Sequence, residues 1–280
     1  MRAGCGRTAY PDRVTGAAFF DLDKTILAKS SALAFGGPFS QAGLISRRAM
    51  LRGAYSQLMF SLQGADHAQT EKLRQYLSKM VTGWPVDEVS RIVEETLSER
   101  IVPMIFDEAA TLIEEHKAAG REVIIVSTSG ADIVEPIAQM LGADKALATR
   151  LAVSEGRYTG EIWFYCHGEN KATAIREHAE EKGYKLEECF AYSDSITDLP
   201  MLDVVGHPFI VNPDKGLRRI AAERHWPVLE FRRPVALTTR FRQVPAKPAI
   251  ATAAGAGVLI MVLLMISRRR RRRAVLASDN

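Results

Sequence analysis

Three short apolar segments of this chain are each followed at once by acidic or hydroxyl side chains. The segments are residues 17–20, 122–126 and 189–192. The polar residues that follow them are Asp21 and Asp23, then Ser127, then Asp194 with Asp198 after it. Segments with helical spacing separate the apolar runs, and this alternation predicts an α/β fold with a parallel sheet. Ligands in such folds bind at the carboxyl ends of the strands, so we expect these side chains to meet at one edge of the sheet.

Residues 33–104, between the first two strands, lack the alternation of a strand. Apolar residues recur there with helical spacing, as Val89, Ile92 and Val93 do. The pattern predicts a helical cap inserted after the first strand, with residues 17–32 and 105–231 forming the core. Further along, residues 147–163 predict a β-hairpin that turns at Glu155 and Gly156.

The composition excludes several classes of protein. A length of 280 residues suggests about two domains, and 47% hydrophobic with 25% charged residues is typical of a globular chain, not a disordered or fibrous one. The three cysteines have no CxxC spacing, which argues against a disulfide framework or a structural zinc site. These features favour a reducing compartment and predict a cytoplasmic catalytic domain.

The positive charge of the chain is concentrated at its C-terminal end. Residues 232–280 carry eleven basic side chains and one acid, whereas residues 1–231 carry 26 basic and 32 acidic ones. An acidic body repels a phosphate backbone, so no specific nucleic-acid partner is expected.

The C-terminal end predicts membrane association. Residues 248–267 form a 20-residue stretch without a charged side chain, which is long enough to span a bilayer as a hydrophobic helix. A basic linker, residues 232–247, precedes it, and an Arg-rich tail, residues 268–280, follows it. Basic residues on both flanks fit either a transmembrane anchor or a shallow insertion.

The side chains at the strand ends suit phosphoryl transfer. They include a carboxylate nucleophile, a proton donor and hydroxyl groups, and Lys171 opens the helix before the last group. Clustered carboxylates repel one another unless a cation lies between them, and oxygen ligands in small number suit Mg²⁺. Magnesium is therefore the expected cofactor.

The order and spacing of four motifs resemble those of the haloacid dehalogenase-like hydrolases. The motifs are Asp21-Leu22-Asp23-Lys24-Thr25, Ser127 after an apolar strand, Lys171, and the run from Ser193 to Asp198. The phosphoserine phosphatase-like branch (the subfamily IB hydrolases), which has a helical cap after the first motif, is the most similar. The resemblance implies a Rossmann-like core over residues 17–231 and a Mg²⁺-dependent phosphatase.

The resemblance also implies a role for each motif residue. Asp21 would attack phosphorus and form an aspartyl-phosphate, and Asp23 would protonate the leaving oxygen. Ser127 would bind a phosphoryl oxygen, and Lys171 would neutralise charge on the nucleophile and the phosphate. The metal would be held by Asp21 and Asp194 through their side chains and by Asp23 through its carbonyl. Thr25 and Asp198 would support the site, Asp198 by orienting Lys171 or a metal-bound water.

The local sequence leaves alternatives open for several of these residues. Lys171 also fits a solvated helix start with Asn170 as its N-cap. Asp198 also fits an acid favoured by a helix N-terminus. Thr128 and Ser129 compete with Ser127, because one of the three hydroxyls can cap the next helix. Arg47, Arg48 and Arg52 fit either a contact with a substrate anion under the cap or a solvated helix face equally well.

The segment after the first motif bears on the substrate. In phosphoserine phosphatases a glutamate there binds the substrate ammonium, but Ser30 occupies the corresponding position here and Lys29 precedes it. The sequence therefore predicts a small phosphomonoester other than phosphoserine. Two alternatives are a lipid-phosphate (lysophosphatidate-type) phosphatase at the membrane and a membrane adaptor with a retired active site.

Overall fold

The computed structural model describes residues 16–46, 74–75 and 78–232. Its strands are β1 (Ala17–Phe20), β2 (Glu122–Gly130), β3 (Lys145–Ser154), β4 (Arg157–Phe164), β5 (Phe190–Ser193), β6 (His207–Val211) and β7 (Val228–Leu229). They form one sheet in the order β4-β3-β2-β1-β5-β6-β7. Neighbouring strands are parallel except β3 and β4, which form an antiparallel hairpin. The predicted α/β fold with a Rossmann-like parallel core is confirmed.

The central position of β1 follows from its sequence. All four of its residues are fully buried, which a strand between two parallel neighbours requires. Phe20 is paired with Ile125 on β2 and with Tyr192 on β5. The carboxyl ends of these three strands therefore lie side by side, at the shared edge that the sequence predicts.

Helices cover both faces of the sheet. The helices with described bounds are α1 (Ser31–Gln41), α2 (Val86–Thr96), α3 (Asp107–Ala118), α4 (Ala131–Leu141), α5 (Glu169–Lys182), α6 (Leu199–Asp203) and α7 (Lys215–Arg224). Phe19 packs in a buried cluster that includes Ile175 of α5 and Leu217 of α7. The Phe20 ring lies 5.8 Å from the ring of His116 on α3. Successive residues of β1 thus face opposite layers, as alternation along a strand requires.

Beyond the turn at residues 21–30, the segment between β1 and α3 is mostly helical where the structure describes it. It contains α1, α2, a π-helical turn (Leu97–Ile101) and a 3-10 turn (Val102–Met104). The chain segments that enter and leave it pair side by side: Ala28 N–H donates to the Met104 carbonyl at 2.7 Å, and Phe106 N–H donates to the Ile26 carbonyl at 2.9 Å. Helix α1 begins at Ser31, slightly before the expected start of the insert at residue 33.

The predicted β-hairpin is confirmed as β3 and β4. Its two turn residues, Glu155 and Gly156, have φ values of 50° and 72°. Positive φ at both positions is typical of the two-residue turns that match the twist of a hairpin.

Two elements were missed by the sequence analysis, α7 and β7. The side chain of Asp214 caps α7, where Oδ1 accepts a hydrogen bond from Leu217 N–H at 2.8 Å. Strand β7 has only two residues, which pair with Ile210 and Val211 of β6. An element this short has no sequence pattern of its own, because its pairing partner defines it.

Several predictions concern residues outside the described ranges. These are the three candidate substrate-binding arginines, most of the basic linker, the apolar stretch 248–267 and the tail 268–280. In the described ranges, the helices are too short or too polar to cross a bilayer.

Candidate active site

Asp21 and Asp23 follow β1 at the carboxyl edge of the sheet. Asp21 N–H donates to the Tyr192 carbonyl at 2.9 Å, which extends the pairing of β1 with β5 by one residue. Lys24 has a φ of 66°, in the left-handed region, and this bends the chain sharply after the strand. Both carboxylates are therefore held by the end of a buried strand and the turn that follows it.

Lys171 lies in the first turn of α5, and its side chain is buried. Its Nζ donates to Asp21 Oδ1 at 2.7 Å and to Asp198 Oδ2 at 2.9 Å. The alternative of a solvated lysine is wrong, since Lys171 is only 1% exposed. The N-cap alternative for Asn170 is also wrong: Gly168 is the N-cap residue, and the Asn170 amide donates to the Tyr165 carbonyl at 2.8 Å.

Asp198 faces Lys171 and Ser193. Ser193 Oγ donates to Asp198 Oδ2 at 2.7 Å, the same oxygen that accepts from Lys171. Asp198 precedes α6, but its side chain makes no capping hydrogen bond to that helix. The carboxylate is thus directed towards the buried ammonium, which it shares with Asp21.

The three hydroxyls that end β2 have different partners. Thr128 Oγ1 donates to the Cys166 carbonyl at 2.9 Å, and Ser129 Oγ lies 3.0 Å from Ser31 Oγ. Ser127 is only 2% exposed, and its Oγ accepts from Ser129 N–H at 3.2 Å. That bond does not use the Ser127 hydroxyl hydrogen, which is the group a phosphoryl oxygen would need. The geometry therefore favours Ser127 among the three.

Burial and mutual repulsion change the acidity of the carboxyl groups. Burial raises the pKa of Asp21 to about 7, against the lowering effect of the Lys171 charge. Burial, together with the negative charge of Asp21, raises the pKa of Asp194 to about 8. Burial would lower the pKa of Lys171, but the charges of Asp198 and Asp21 raise it above its usual value. Lys171 is therefore a permanent cation among these carboxylates.

Asp23 has a different environment from Asp21. Burial raises its pKa, and hydrogen bonds from Ser31 and Ser30 act in the opposite direction. Ser31 N–H donates to Oδ1 at 2.7 Å, and Ser30 Oγ donates to Oδ2 at 3.2 Å. Two acids in one turn thus differ in their partners: an ammonium for Asp21, and an amide with a hydroxyl for Asp23.

The donor set fits Mg²⁺. Asp21, Asp194 and Asp198 are buried acids with a single buried lysine among them, so a divalent cation would offset their excess charge. In the described part of the chain, no group of three or more Asp, Glu, His or Cys side chains forms a complete metal cage. Mg²⁺ does not need such a cage, because it binds one or two carboxylates and retains several waters.

Thr25 is buried, and its Oγ1 has no hydrogen-bond partner in the described part of the protein.

Sequence reasoning missed the contacts of Ser30, Ser31 and Ser193 with the acids. Ser193 had a detectable signal, because it ends a strand directly before Asp194. The contacts of Ser30 and Ser31 depend on how α1 packs against the strand ends.

Comparison with known proteins supports the family resemblance seen in the sequence motifs. The model of the haloacid dehalogenase-like hydrolases matches residues 18–203. A Mycobacterium tuberculosis protein named "Probable phosphatase" is 56% identical over 246 residues, covering 88% of this chain and 85% of that protein. The "Inhibition of morphological differentiation protein" of Streptomyces azureus is 56% identical over 244 residues, covering 86% and 88%. A phosphoserine phosphatase of M. tuberculosis is 34% identical over 248 residues, covering 88% and 80%.

Solved structures share the fold. A protein of unknown function from Bordetella pertussis Tohama I superposes with a TM-score of 0.67 at 27% identity, over 76% of this chain and 97% of that one. A phosphoserine phosphatase in its apo form has a TM-score of 0.54 at 20% identity, over 72% and 89%. The chain thus belongs to the haloacid dehalogenase-like hydrolases, in their phosphoserine phosphatase-like branch, and is a phosphoric monoester hydrolase.

Proposed function

We propose that this hydrolase cleaves a small phosphomonoester in two steps, through an aspartyl-phosphate on Asp21. The observation that carries the proposal is the buried contact between Lys171 Nζ and Asp21 Oδ1 at 2.7 Å. An ammonium in this position favours the ionised form of the nucleophile, against the effect of burial, and offsets charge on the group being transferred. A second hydrogen bond, to Asp198, helps to hold the ammonium beside Asp21.

Asp21 and Asp23 divide the chemistry between them. In the first step Asp21 attacks phosphorus, the ester P–O bond breaks, and Asp23 gives its proton to the leaving oxygen. In the second step Asp23 removes a proton from water, the water oxygen attacks phosphorus, and the bond from phosphorus to Asp21 breaks. Phosphate leaves, and both acids return to their starting states.

The remaining site residues bind the phosphoryl group and the cofactor. Ser127 donates its hydroxyl to a phosphoryl oxygen, and the buried Thr25 supports the loop after β1 by packing. Asp21 and Asp194 side chains with the Asp23 carbonyl would hold Mg²⁺. When bound, Mg²⁺ supplies positive charge that lowers repulsion between the nucleophile and the phosphate.

We assign residues 17–32 and 105–231 to the catalytic core and residues 33–104 to the cap that covers it. The substrate is a small phosphomonoester other than phosphoserine. Ser30 offers a hydroxyl, not a carboxylate, to a substrate ammonium, and Lys29 next to it is exposed and would repel one. The related phosphoserine phosphatase makes phosphoserine the comparison substrate in any test.

The sequence of residues 248–267 supports attachment of a cytoplasmic catalytic domain to the membrane. Such attachment would bring the site close to lipid substrates, so a lysophosphatidate-type ester belongs in the substrate panel.

The test is Mg²⁺-dependent phosphate release by the full-length protein over a panel of monoesters that includes phosphoserine. Asp21→Asn is the control, and we expect it to abolish turnover of every ester. Turnover that survives in this variant would contradict the aspartyl-phosphate mechanism. Phosphoserine turned over as well as the best ester would contradict the substrate assignment. A wild-type protein inactive on every ester would favour the retired adaptor.

A further inference from the structure

Ser30 and Ser31 together bind both oxygens of the Asp23 carboxyl group. Ser31 N–H donates to Oδ1 at 2.7 Å, and Ser30 Oγ donates to Oδ2 at 3.2 Å. Ser30 is only 6% exposed and Ser31 is fully buried, so solvent does not compete strongly for these bonds. Two hydrogen bonds, one to each oxygen, fix the plane of the carboxyl group. A single hydrogen bond would leave the group free to rotate.

The orientation of the Ser30 side chain is unusual for its place in the fold. Ser30 is the N-cap residue of α1, where a serine hydroxyl ordinarily accepts a hydrogen bond from a backbone N–H of the first turn. Its side chain makes no such capping bond and is directed at Asp23 instead. The helix start is thus deprived of a cap that its sequence could provide.

Ser31 connects the Asp23 carboxyl group to the end of β2, where Ser127 and Ser129 lie. Its Oγ lies 3.0 Å from Ser129 Oγ, and Ser129 N–H donates to Ser127 Oγ at 3.2 Å. A continuous series of hydrogen bonds therefore runs from Asp23 through Ser31 and Ser129 to Ser127. This series fixes the start of α1 relative to the end of β2.

We propose that Ser30 is a positioning residue, whose hydroxyl holds the Asp23 carboxyl group in the orientation from which its proton passes to the leaving oxygen. A hydroxyl suits this role because it can donate to Oδ2 of Asp23 whether the carboxyl group is ionised or protonated, which leaves the acid proton free for the leaving oxygen. Asp23 alternates between these states during the reaction, and Ser30 can bond to either. The inference rests on the proposed role of Asp23 as proton donor.

The nature of the leaving group separates this role from a structural one. An alkoxide needs a proton as it leaves, whereas p-nitrophenolate is stable enough to leave without one. A misplaced Asp23 therefore slows cleavage of an alkyl ester much more than cleavage of p-nitrophenyl phosphate. General damage to the site or the fold slows both reactions alike.

The experiment compares kcat/KM of the full-length protein for p-nitrophenyl phosphate and for its best alkyl monoester. The kcat/KM value reports steps up to the first irreversible one, so hydrolysis of the aspartyl-phosphate does not enter. We expect Ser30→Ala to lower kcat/KM about 10- to 100-fold for the alkyl ester and less than about threefold for p-nitrophenyl phosphate. Ser30→Thr, which keeps a hydroxyl, should restore most of the alkyl ester activity.

The matched control is Thr96→Ala in α2. Its buried hydroxyl donates to the Ile92 carbonyl of the same helix, so its loss should change both kcat/KM values equally. If Ser30→Ala does not fold, Ser30→Gly replaces it, since glycine is tolerated at an N-cap. Equal losses on both esters, no loss, or a threonine variant that behaves like alanine would overturn the role of Ser30. A wild-type protein inactive on both esters would instead overturn the proposed function.

Discussion

The ammonium of Lys171 lies 2.7 Å from Oδ1 of Asp21, although 150 residues separate the two in the chain. Both side chains are almost completely buried, and Lys171 also donates to Asp198. The buried cation that contacts these two buried acids therefore contributes both to the stability of the fold and to the proposed reaction. Removal of the cation would leave carboxylates that neither solvent nor another buried lysine of the described core compensates.

Lys171→Ala should therefore destabilise the fold as well as abolish activity. We expect the free energy of unfolding to fall by about 3–5 kcal/mol at neutral pH, the usual cost of breaking a buried ion pair from one side. Urea denaturation measures this change. The control is Lys182→Ala on the same helix, because Lys182 is half-exposed and lies 4.0 Å from Glu122. Its loss should cost less than about 1 kcal/mol, and equal losses in the two variants would contradict the prediction.

Asp198→Asn should lower kcat/KM without removing a group that touches the substrate. The amide keeps an acceptor for Ser193 but loses the charge that holds Lys171, and loss of such a supporting partner typically costs about 10- to 100-fold. Asp203→Asn provides the comparison, since Asp203 is exposed and pairs with Arg224. Steady-state kinetics of both variants test this, and a full-activity Asp198→Asn enzyme would show that Lys171 needs no second carboxylate.

The metal-free protein should lose stability as the pH rises. Asp21 and Asp194 have folded-state pKa values of about 7 and about 8, above the ordinary carboxyl value of 3.8. The folded state therefore binds protons more tightly than the unfolded state. This contribution is complete below the ordinary value and is lost as the pH rises through the folded-state values.

Thermal unfolding in a chelator should thus give a Tm that decreases between about pH 5 and pH 9. Added Mg²⁺ should raise Tm more at the alkaline end, because the metal binds ionised carboxylates. In Asp194→Asn both effects should shrink, since one of the carboxyl groups with a raised pKa is gone. A Tm that rises with pH in the chelator would show that other titrating groups dominate.

Full-length protein should bind vesicles through residues 248–267. Leu259 and Leu263 lie in the apolar stretch, and Leu259→Lys with Leu263→Lys places two charges where a helix would contact lipid. Co-sedimentation with phosphatidylcholine vesicles containing phosphatidylserine compares this variant with wild type, and phosphatase activity in both confirms that the core is folded. Wild-type protein that stays in the supernatant would contradict membrane attachment.

The sequence alone determined the topology of the site. Ala17–Phe20 is apolar throughout and must be buried in a sheet, so Asp21 and Asp23 directly after it had to lie at the sheet edge. The same reasoning placed Ser127 and Asp194 at strand ends along this edge, whereas the order of the strands came from the structure. It also predicted the hairpin, because Glu155-Gly156 between two alternating segments is a local signal. These features depend on residues that are close together in the chain.

Only the tertiary structure decided which of these groups touch. Whether Lys171 was a solvated helix residue or the partner of Asp21 depended on how α5 packs against β1. The sequence of Ser30 fits an N-cap, but packing of the start of α1 beside Asp23 turned its hydroxyl to the acid. Contacts between residues far apart in the chain are set by the packing of whole elements, and a local pattern does not contain that information.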